Sequence, residues 1–285
     1  MKSELILTNP TVIKNLMERH GFTFTKSLGQ NFLINPSVCP RMAAALTSKT
    51  VIEIGAGIGV LTRELAKAAE KVIVIEIDEG LKPILTETLS VCPNVEIIWG
   101  DVLKLDLAEI ITSPVSVIAN LPYYAATHII IQLMESKLPI NSLIVMVQEE
   151  VAQRFAALPG TKQYGSVSVA TRFYSQPKTL FKVSRGSFMP APKVDSAVIR
   201  FDLFAEKKYD VDENLFFRLV KAAFSERRKQ MCNPVSKEFS ESGISKETVK
   251  SALEETGKNP LSRAEELSVD EFAELYSVLM KGLST

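Results

Sequence analysis

Between residues 50 and 148, short apolar runs alternate with amphipathic helical patterns. The apolar runs are TVIEIG (50–55), KVIVIE (71–76), VEIIWG (95–100), VSVIAN (115–120) and SLIVMVQ (142–148). The helical patterns fall at 60–69, 79–90 and 127–136. Strands that alternate with helices build a parallel sheet with helices on both faces, and near-continuous apolar strands fit burial on both sides. We therefore predict an α/β fold in which the strand carboxyl ends share one edge, where ligands bind.

The pattern changes after residue 150, which indicates a second domain. The segment 165–174 fits either a helix or a strand, and 193–203 fits a late strand. From residue 210 onward every pattern is helical. We predict a first domain at 1–205 and a small all-helical domain at 206–285.

The composition excludes several classes of protein. Hydrophobic residues make up 46% and charged residues 23% of the 285 residues, as in folded globular chains. No apolar run approaches the roughly 20 residues that span a bilayer, and the N-terminal residues lack an apolar signal core. Cys39, Cys92 and Cys232 are too far apart for a disulfide framework or a zinc cluster. We expect a soluble, cytoplasmic protein without a metal.

A net charge of zero hides an uneven distribution of charge. Residues 151–200 carry eight basic side chains against one acidic, a net charge of +7, and residues 221–229 carry a further +3. Basic segments in a neutral chain favour a polyanionic partner, although a single charge run is usually a solvated face. We predict that Arg227, Arg228 and Lys229 contact the phosphates of such a partner.

A glycine-rich segment, EIGAGIGVLT (53–62), leaves the first strand and enters a helix. Glycines in such a turn let a ligand approach the backbone and the helix N-terminus. Glu76 ends the next strand, 21 residues after Gly55, where its carboxylate can accept hydrogen bonds from both hydroxyls of a ribose. The dinucleotide fingerprint requires a third glycine where this chain has Val60, so the pattern favours S-adenosylmethionine, which has no pyrophosphate. For the loop alone, a merely tight turn is the alternative.

Two further strand ends carry candidate ligand-binding residues. Asp101 follows the third strand, where its carboxylate can accept a hydrogen bond from an adenine amine. The tetrapeptide Asn120-Leu121-Pro122-Tyr123 follows the fourth strand. Such a tetrapeptide can bind a planar base that bears an amino group. The amide oxygen and the carbonyl before the proline accept the two N–H bonds, and the aromatic ring stacks on the base. The alternative for the tetrapeptide is a proline turn with core tyrosines.

Together these motifs resemble those of the KsgA (RsmA) family of small-subunit rRNA adenine N6-dimethyltransferases. The segments that carry the resemblance are KSLGQNFL (26–33), VIEIGAGIGVLT (51–62), VIVIEID (72–78), GDVL (100–103), NLPYY (120–124), FMPAPKVDSAV (188–198) and AFSERRK (223–229). The resemblance implies a Rossmann-like, seven-stranded methyltransferase sheet followed by a C-terminal helical domain. It also implies S-adenosylmethionine-dependent dimethylation, at N6, of two adjacent adenines in the 3′-terminal hairpin of 16S rRNA. The expected substrate is an immature 30S particle and the expected enzyme a monomer, and in this family loss of the activity is associated with kasugamycin resistance.

The resemblance also implies site residues, carried over position by position. The implied cofactor residues are Asn31, Leu33, Gly55, Glu76, Asp101 and Asn120. The implied catalytic and target-base residues are Asn120, Leu121, Pro122 and Tyr123, with Phe188 as a second stacking ring. Neither His20 nor His128 falls within these motifs, so we expect no general base before the adenine nitrogen attacks.

The chain departs from the family pattern at two places. After NLPYY the family has an Ile-Ser/Thr-Thr-Pro run, where this chain has AATH (125–128), whose alanines should preserve a helix. After AFSERRK the family has a Leu-Asn-rich stretch, where this chain has MCNPV (231–235). We expect Pro234 to end or kink any helix there.

Two other functions are open alternatives. The Erm methyltransferases of macrolide resistance share the glycine loop and an Asn-x-Pro-Tyr motif, but LGQNF (28–32) and Leu121 with its double tyrosine favour the KsgA family. The chain could also be mainly an RNA-binding assembly factor whose methyltransferase site is secondary.

Overall fold

The computed structural model describes residues 5–25 and 29–281. The first three residues of the predicted KSLGQNFL motif, 26–28, lie outside the described residues. The strands are β1 (Phe32–Leu33), β2 (Thr50–Ile54), β3 (Lys71–Glu76), β4 (Val95–Trp99), β5 (Val115–Asn120), β6 (Ile140–Gln148), β7 (Ser175–Val183), β8 (Phe188–Met189) and β9 (Ser196–Leu203). The helices are α1 (Pro10–Arg19), α2 (Val38–Ala43), α3 (Val60–Ala68), α4 (Lys82–Thr88), α5 (Leu107–Ile110), α6 (Ala126–Glu135), α7 (Glu149–Ala156), α8 (Ser166–Tyr174), α9 (Glu213–Ser225), α10 (Cys232–Glu238), α11 (Lys246–Glu255) and α12 (Val269–Lys281).

Seven of the described strands form one mixed sheet in the order β4-β3-β2-β5-β6-β9-β7. The pairs from β4 to β6 are parallel, and β9 runs antiparallel to β6. The central strands are buried on both faces, as their near-continuous apolar sequences require. The predicted seven-stranded α/β sheet is confirmed.

The strand order reverses between β2 and β5, which are neighbours in the sheet. The chain runs outward from β2 through β3 to β4, and then returns to the other side of β2 as β5. Ile54 at the end of β2 lies opposite Ala119 in β5, so Gly55 and Asn120 leave adjacent strands at the same edge. Such a switch point opens a crevice at the strand carboxyl ends, where α/β sheets bind ligands.

Two elements beyond residue 150 were left open or missed by the sequence patterns. The ambiguous segment 165–174 forms helix α8, and β7 was not predicted at all. Strand β7 lies at the edge of the sheet, where Pro177 is tolerated, and Lys178 and Lys182 are exposed on it. A strand with a proline and exposed lysines lacks the apolar pattern by which the other strands were recognised.

The chain divides into two compact units, each with its own core. One unit contains the residues up to Ala152 together with Pro177–Ala205, and the other contains Gln153–Gln176 and the residues from Glu206 onward. The change of sequence pattern instead places residues 153–176 in the first domain, 1–205. These residues pack within the helical unit because Phe173 of α8 places its ring 5.0 Å from that of Tyr209 and 4.9 Å from that of Phe216.

The expectation that Pro234 ends or kinks a helix is wrong. Helix α9 already ends at Ser225, and Pro234 is the third residue of α10. The N–H groups of the first helical turn have no acceptor within the helix, so a proline there removes no helical hydrogen bond. No helix in the described part of the chain is long and apolar enough to cross a membrane.

Candidate active site

The glycine loop connects β2 to α3 and forms one wall of a pocket. Gly55 lies at a φ of +77°, and a Cβ built on it would meet nothing within 4 Å. Because Gly55 lines the pocket, a side chain there would project into the space for a ligand. Gly59 is constrained by packing instead, since a Cβ there would lie 2.9 Å from Cδ2 of Leu89. Gly55 therefore leaves room for a ligand against the backbone, and Gly59 allows the loop to pack closely against Leu89 at the end of α4.

Glu76 ends β3 beside this loop and is buried. Its Oε2 accepts a hydrogen bond from the N–H of Gly57 at 3.2 Å, and its Oε1 accepts one from the N–H of Asp78 at 2.9 Å. Burial raises the pKa of Glu76, while these backbone donors oppose the rise. Each carboxylate oxygen has a second lone pair, so Glu76 can still accept hydrogen bonds from a ligand in the pocket.

Asn120 ends β5 at the opposite side of the switch point. Its Nδ2 donates to the backbone carbonyl of Asn31 at 3.3 Å. The opposite end of the amide, Oδ1, accepts no hydrogen bond from the described residues. The carbonyl of Leu121 likewise accepts none from them, whereas the carbonyl of Pro122 accepts from the N–H groups of Ala125 and Ala126, both at 3.1 Å. Two oxygen acceptors at this strand end are thus left for a ligand.

Two tyrosines follow the proline and differ in environment. The hydroxyls of Tyr123 and Ser196 are hydrogen-bonded at 2.8 Å, and the tyrosine is partly buried. Burial raises the pKa of Tyr123, so its phenol stays neutral at physiological pH. Tyr124 is instead 68% exposed.

These residues line one open cavity of about 870 Å³, a volume that includes open solvent. It is lined by residues 29–33, 53, 55–58, 60, 61, 76, 77, 81 and 120–124. Eight of the predicted site residues are among them, namely Asn31, Leu33, Gly55, Glu76, Asn120, Leu121, Pro122 and Tyr123. The structure therefore brings most of the predicted cofactor and base residues into a single pocket.

Two of the predicted cofactor and target-base residues, Asp101 and Phe188, do not line this cavity. Asp101 follows β4, and its Oδ1 accepts a hydrogen bond from the N–H of Leu103 at 3.1 Å. Phe188 is 3% exposed and pairs with Leu33 across the β1–β8 ladder. Stacking of Phe188 on a base therefore requires that its ring be uncovered, and both roles stay predictions.

Two residues of the pocket were missed by the sequence analysis. Glu53 in β2 is fully buried, neither of its carboxylate oxygens has a partner among the described residues, and burial raises its pKa to about 8. A charged residue inside an apolar strand was the signal that could have revealed it. Gln30 donates to Oδ2 of Asp78 at 2.6 Å and accepts from the N–H of Thr25 at 2.9 Å, which ties the segment before β1 to the end of β3.

The predicted RNA-binding cluster is largely engaged in contacts within the helical unit. Arg227 donates to Oε2 of Glu265 at 2.8 Å and to the backbone carbonyls of Thr161 and Lys162. Lys229 forms an ion pair with Glu226. Arg228 is exposed and has no partner among the described residues. Of these three side chains, Arg228 is therefore the one that is available to an external phosphate without breaking an internal contact.

No group of three or more His, Cys, Asp or Glu side chains in the described ranges is arranged to hold a metal ion.

Comparison with known proteins connects this geometry to a family. The family of ribosomal RNA adenine dimethylases matches residues 21–281. A "Ribosomal RNA small subunit methyltransferase A" of Anoxybacillus flavithermus is 44% identical over 283 residues, which cover 96% of each chain. The protein of the same name from Bacillus mycoides is 44% identical over 284 residues, covering 96% of this chain and 97% of the relative.

Solved structures share the fold. A dimethyladenosine transferase from Plasmodium falciparum covers 88% of this chain and 98% of its own, with a TM-score of 0.77 and 24% identity. The 23S rRNA methyltransferase ErmE covers 88% of this chain and all of its own, with a TM-score of 0.68 and 26% identity.

Proposed function

The chain belongs to the ribosomal RNA adenine dimethylase family, and we propose that it methylates N6 of two adjacent adenines in the 3′-terminal hairpin of 16S rRNA, twice each. The methyl donor is S-adenosylmethionine, and the substrate is an immature 30S particle on which the enzyme acts as a monomer in the cytoplasm. The observation that carries the proposal is the pair of unpaired acceptors at the end of β5, Oδ1 of Asn120 and the carbonyl of Leu121, beside the ring of Tyr123.

The pocket residues fit S-adenosylmethionine. The open space beside Gly55 admits a ligand against the backbone, and the Glu76 carboxylate retains lone pairs for ribose hydroxyls. Asn31, Leu33 and Asn120 line the same cavity. When bound, S-adenosylmethionine supplies a methyl group on a positively charged sulfur.

The residues at the end of β5 prepare the adenine amine for attack. The lone pair of an adenine N6 is delocalised into the ring, so the amine is a poor nucleophile. Oδ1 of Asn120 and the carbonyl of Leu121 accept its two hydrogens, which favours a tetrahedral nitrogen with a localised lone pair. The same oxygens, with the face of Tyr123, stabilise the positive charge that develops on nitrogen.

No side chain in this mechanism removes a proton before attack. The phenol of Tyr123 is neutral and hydrogen-bonded to Ser196, so it is not a base. Transfer leaves S-adenosylhomocysteine and an acidic, positively charged nitrogen, which then loses its proton to water. A monomethylated adenine retains one hydrogen for one of the two acceptors, so a second transfer can follow at the same site.

A direct experiment uses labelled S-adenosylmethionine and small subunits that lack the modification. The proposal predicts label in N6,N6-dimethyladenine of 16S rRNA after nucleoside analysis. In a parallel reaction with unmodified large subunits, label in 23S rRNA would instead support the Erm-type activity. Tight subunit binding without transfer would support the role of an assembly factor.

A further inference from the structure

Tyr124 stands out among the exposed apolar side chains. In the described part of the chain, seven large hydrophobic residues are strongly exposed, and Tyr124 is the one aromatic residue among them. It lines the same cavity as Asn120 and Tyr123, at a position where 68% of its surface remains accessible. A single exposed apolar side chain is common on protein surfaces. Tyr124 differs from the others because it lines the cavity that holds the predicted base-binding residues.

The local structure holds Tyr124 in place without covering it. The carbonyl of Pro122 accepts hydrogen bonds from Ala125 and Ala126, which closes a turn around the two tyrosines. On one side the Tyr124 ring lies next to Gly29, where a Cβ would be 3.8 Å from Cδ1 of the ring. The ring therefore lies against the segment before β1, while most of the residue remains accessible.

The two tyrosines offer two rings from consecutive residues at one rigid turn. Tyr123 is held by Ser196, whereas Tyr124 points to solvent at the rim. An enzyme that acts on a base takes it out of its stack, which leaves the neighbouring base without a stacking partner. An exposed aromatic ring can replace that partner, and such stacking does not depend on the identity of the base.

We propose that Tyr124 is a stacking platform for the base adjacent to the target adenine. The inference rests on the proposed function, because it requires a single-stranded RNA segment whose target base enters at Asn120. The ring positions the RNA strand and takes no part in the transfer itself. For two adjacent target adenines, the platform holds one adenine while the other is in the pocket.

The test compares three substitutions at Tyr124 with a control. Tyr124→Phe keeps the ring, Tyr124→Leu keeps an apolar side chain without a ring, and Tyr124→Ala removes both. Val91→Ala is the matched control, because Val91 is 63% exposed in the same compact unit and does not line this cavity. For each protein, KM for unmethylated small subunits and the affinity for S-adenosylmethionine are measured separately, with thermal unfolding as a check on folding.

The proposal predicts that the Ala and Leu variants raise KM for small subunits by about 5- to 150-fold, the range expected when one base–aromatic stack is removed. Tyr124→Phe and Val91→Ala should stay within about 2-fold of wild type in KM, and all variants should bind S-adenosylmethionine as wild type does. Equal KM for the Leu and Phe variants overturns the proposal, and so does weakened S-adenosylmethionine binding with an unchanged KM for subunits. If wild type modifies subunits and all variants have the wild-type KM, the stacking role of Tyr124 is wrong while the proposed function stands. If wild type transfers no methyl group, the proposed function fails and the platform with it.

Discussion

Nδ2 of Asn120 donates to the backbone carbonyl of Asn31 across 89 residues of sequence, at 3.3 Å. Only the nitrogen end of the amide can donate to a carbonyl, so this contact orients the side chain and leaves Oδ1 as the free end. It also joins the segment before β1 to the carboxyl end of β5. One hydrogen bond thus links the wall of the cofactor pocket to the Asn120 side chain, which in our proposal accepts a hydrogen bond from the adenine amine.

Replacement of Glu76 should weaken cofactor binding. Glu76→Ala removes a buried acceptor beside Gly57, and hydrogen bonds to a charged group contribute roughly 1.5–3 kcal/mol each. We expect the dissociation constant for S-adenosylmethionine, measured by calorimetry, to rise about 10- to 100-fold. Glu79→Ala, at an exposed position three residues later, is the control and should bind as wild type does. Tight binding of NAD by the wild-type protein would contradict the assignment of the pocket.

Glu53 should make the stability of the protein fall as the pH rises. Its pKa is raised by burial from 4.5 to about 8 in the folded state, so between these values the folded protein holds a proton that the unfolded chain has released. The free energy of unfolding is therefore highest below about pH 4.5 as far as Glu53 is concerned, and it falls as the pH rises towards 8. At pH 7 it is lower than below pH 4.5 by on the order of 3 kcal/mol.

Glu53→Gln keeps the shape of the protonated side chain and removes the titration. In the ligand-free protein, we expect this variant to unfold at a temperature near that of wild type at pH 5 and at a clearly higher one at pH 8. Glu79→Gln serves as the exposed control and should follow the wild-type profile. Parallel pH profiles of wild type and Glu53→Gln would show that the buried carboxyl does not titrate in this range.

Within the basic cluster after α9, we expect Arg227 to stabilise the fold and Arg228 to bind RNA. Arg227→Glu breaks the ion pair with Glu265 and places two like charges together, so we expect a loss of stability of about 1 kcal/mol, the scale of an exposed ion pair. Arg228→Glu should leave the unfolding temperature unchanged and weaken binding to small subunits. The slope of log affinity against log salt should become shallower by about 0.7–0.9 for each RNA phosphate that the protein no longer neutralises.

Lys14→Glu is the charge-reversal control for this pair, because Lys14 is exposed on α1. It should change neither the unfolding temperature nor the salt slope by a comparable amount. An Arg228→Glu variant with wild-type affinity and salt slope would show that the side chain is merely solvated, and the RNA-binding residues would then have to be sought within 151–200.

The sheet and the ends of its central strands were predictable because they depend on local pattern. Each central strand is a short apolar run that ends beside a glycine or a polar residue, so the pattern alone places Gly55, Glu76 and Asn120 at one edge of the sheet. Strand β7 was not predictable in this way, because Pro177 and its exposed lysines give it no apolar pattern.

The sequence patterns also could not predict contacts between segments that are distant in sequence. The hydrogen bonds from Gln30 to Asp78 and from Asn120 to Asn31 join residues 48 and 89 positions apart, and neither leaves a local signature. The same applies to the burial of Phe188 opposite Leu33. Motif resemblance named Asn31, Asn120 and Phe188 as site residues but not Gln30, and the environment of each of them depends on tertiary packing.

The measurement that tests the account most directly is single-turnover methyl transfer to unmethylated small subunits by wild type and Asn120→Ala, at saturating S-adenosylmethionine. Wild type should produce N6,N6-dimethyladenine in 16S rRNA. The variant should fold normally and transfer about 10²- to 10³-fold more slowly, because it lacks one acceptor that stabilises the charge on nitrogen, by analogy with the removal of one oxyanion-hole donor. A near-normal rate for Asn120→Ala would contradict the role of Asn120 at the centre of this account.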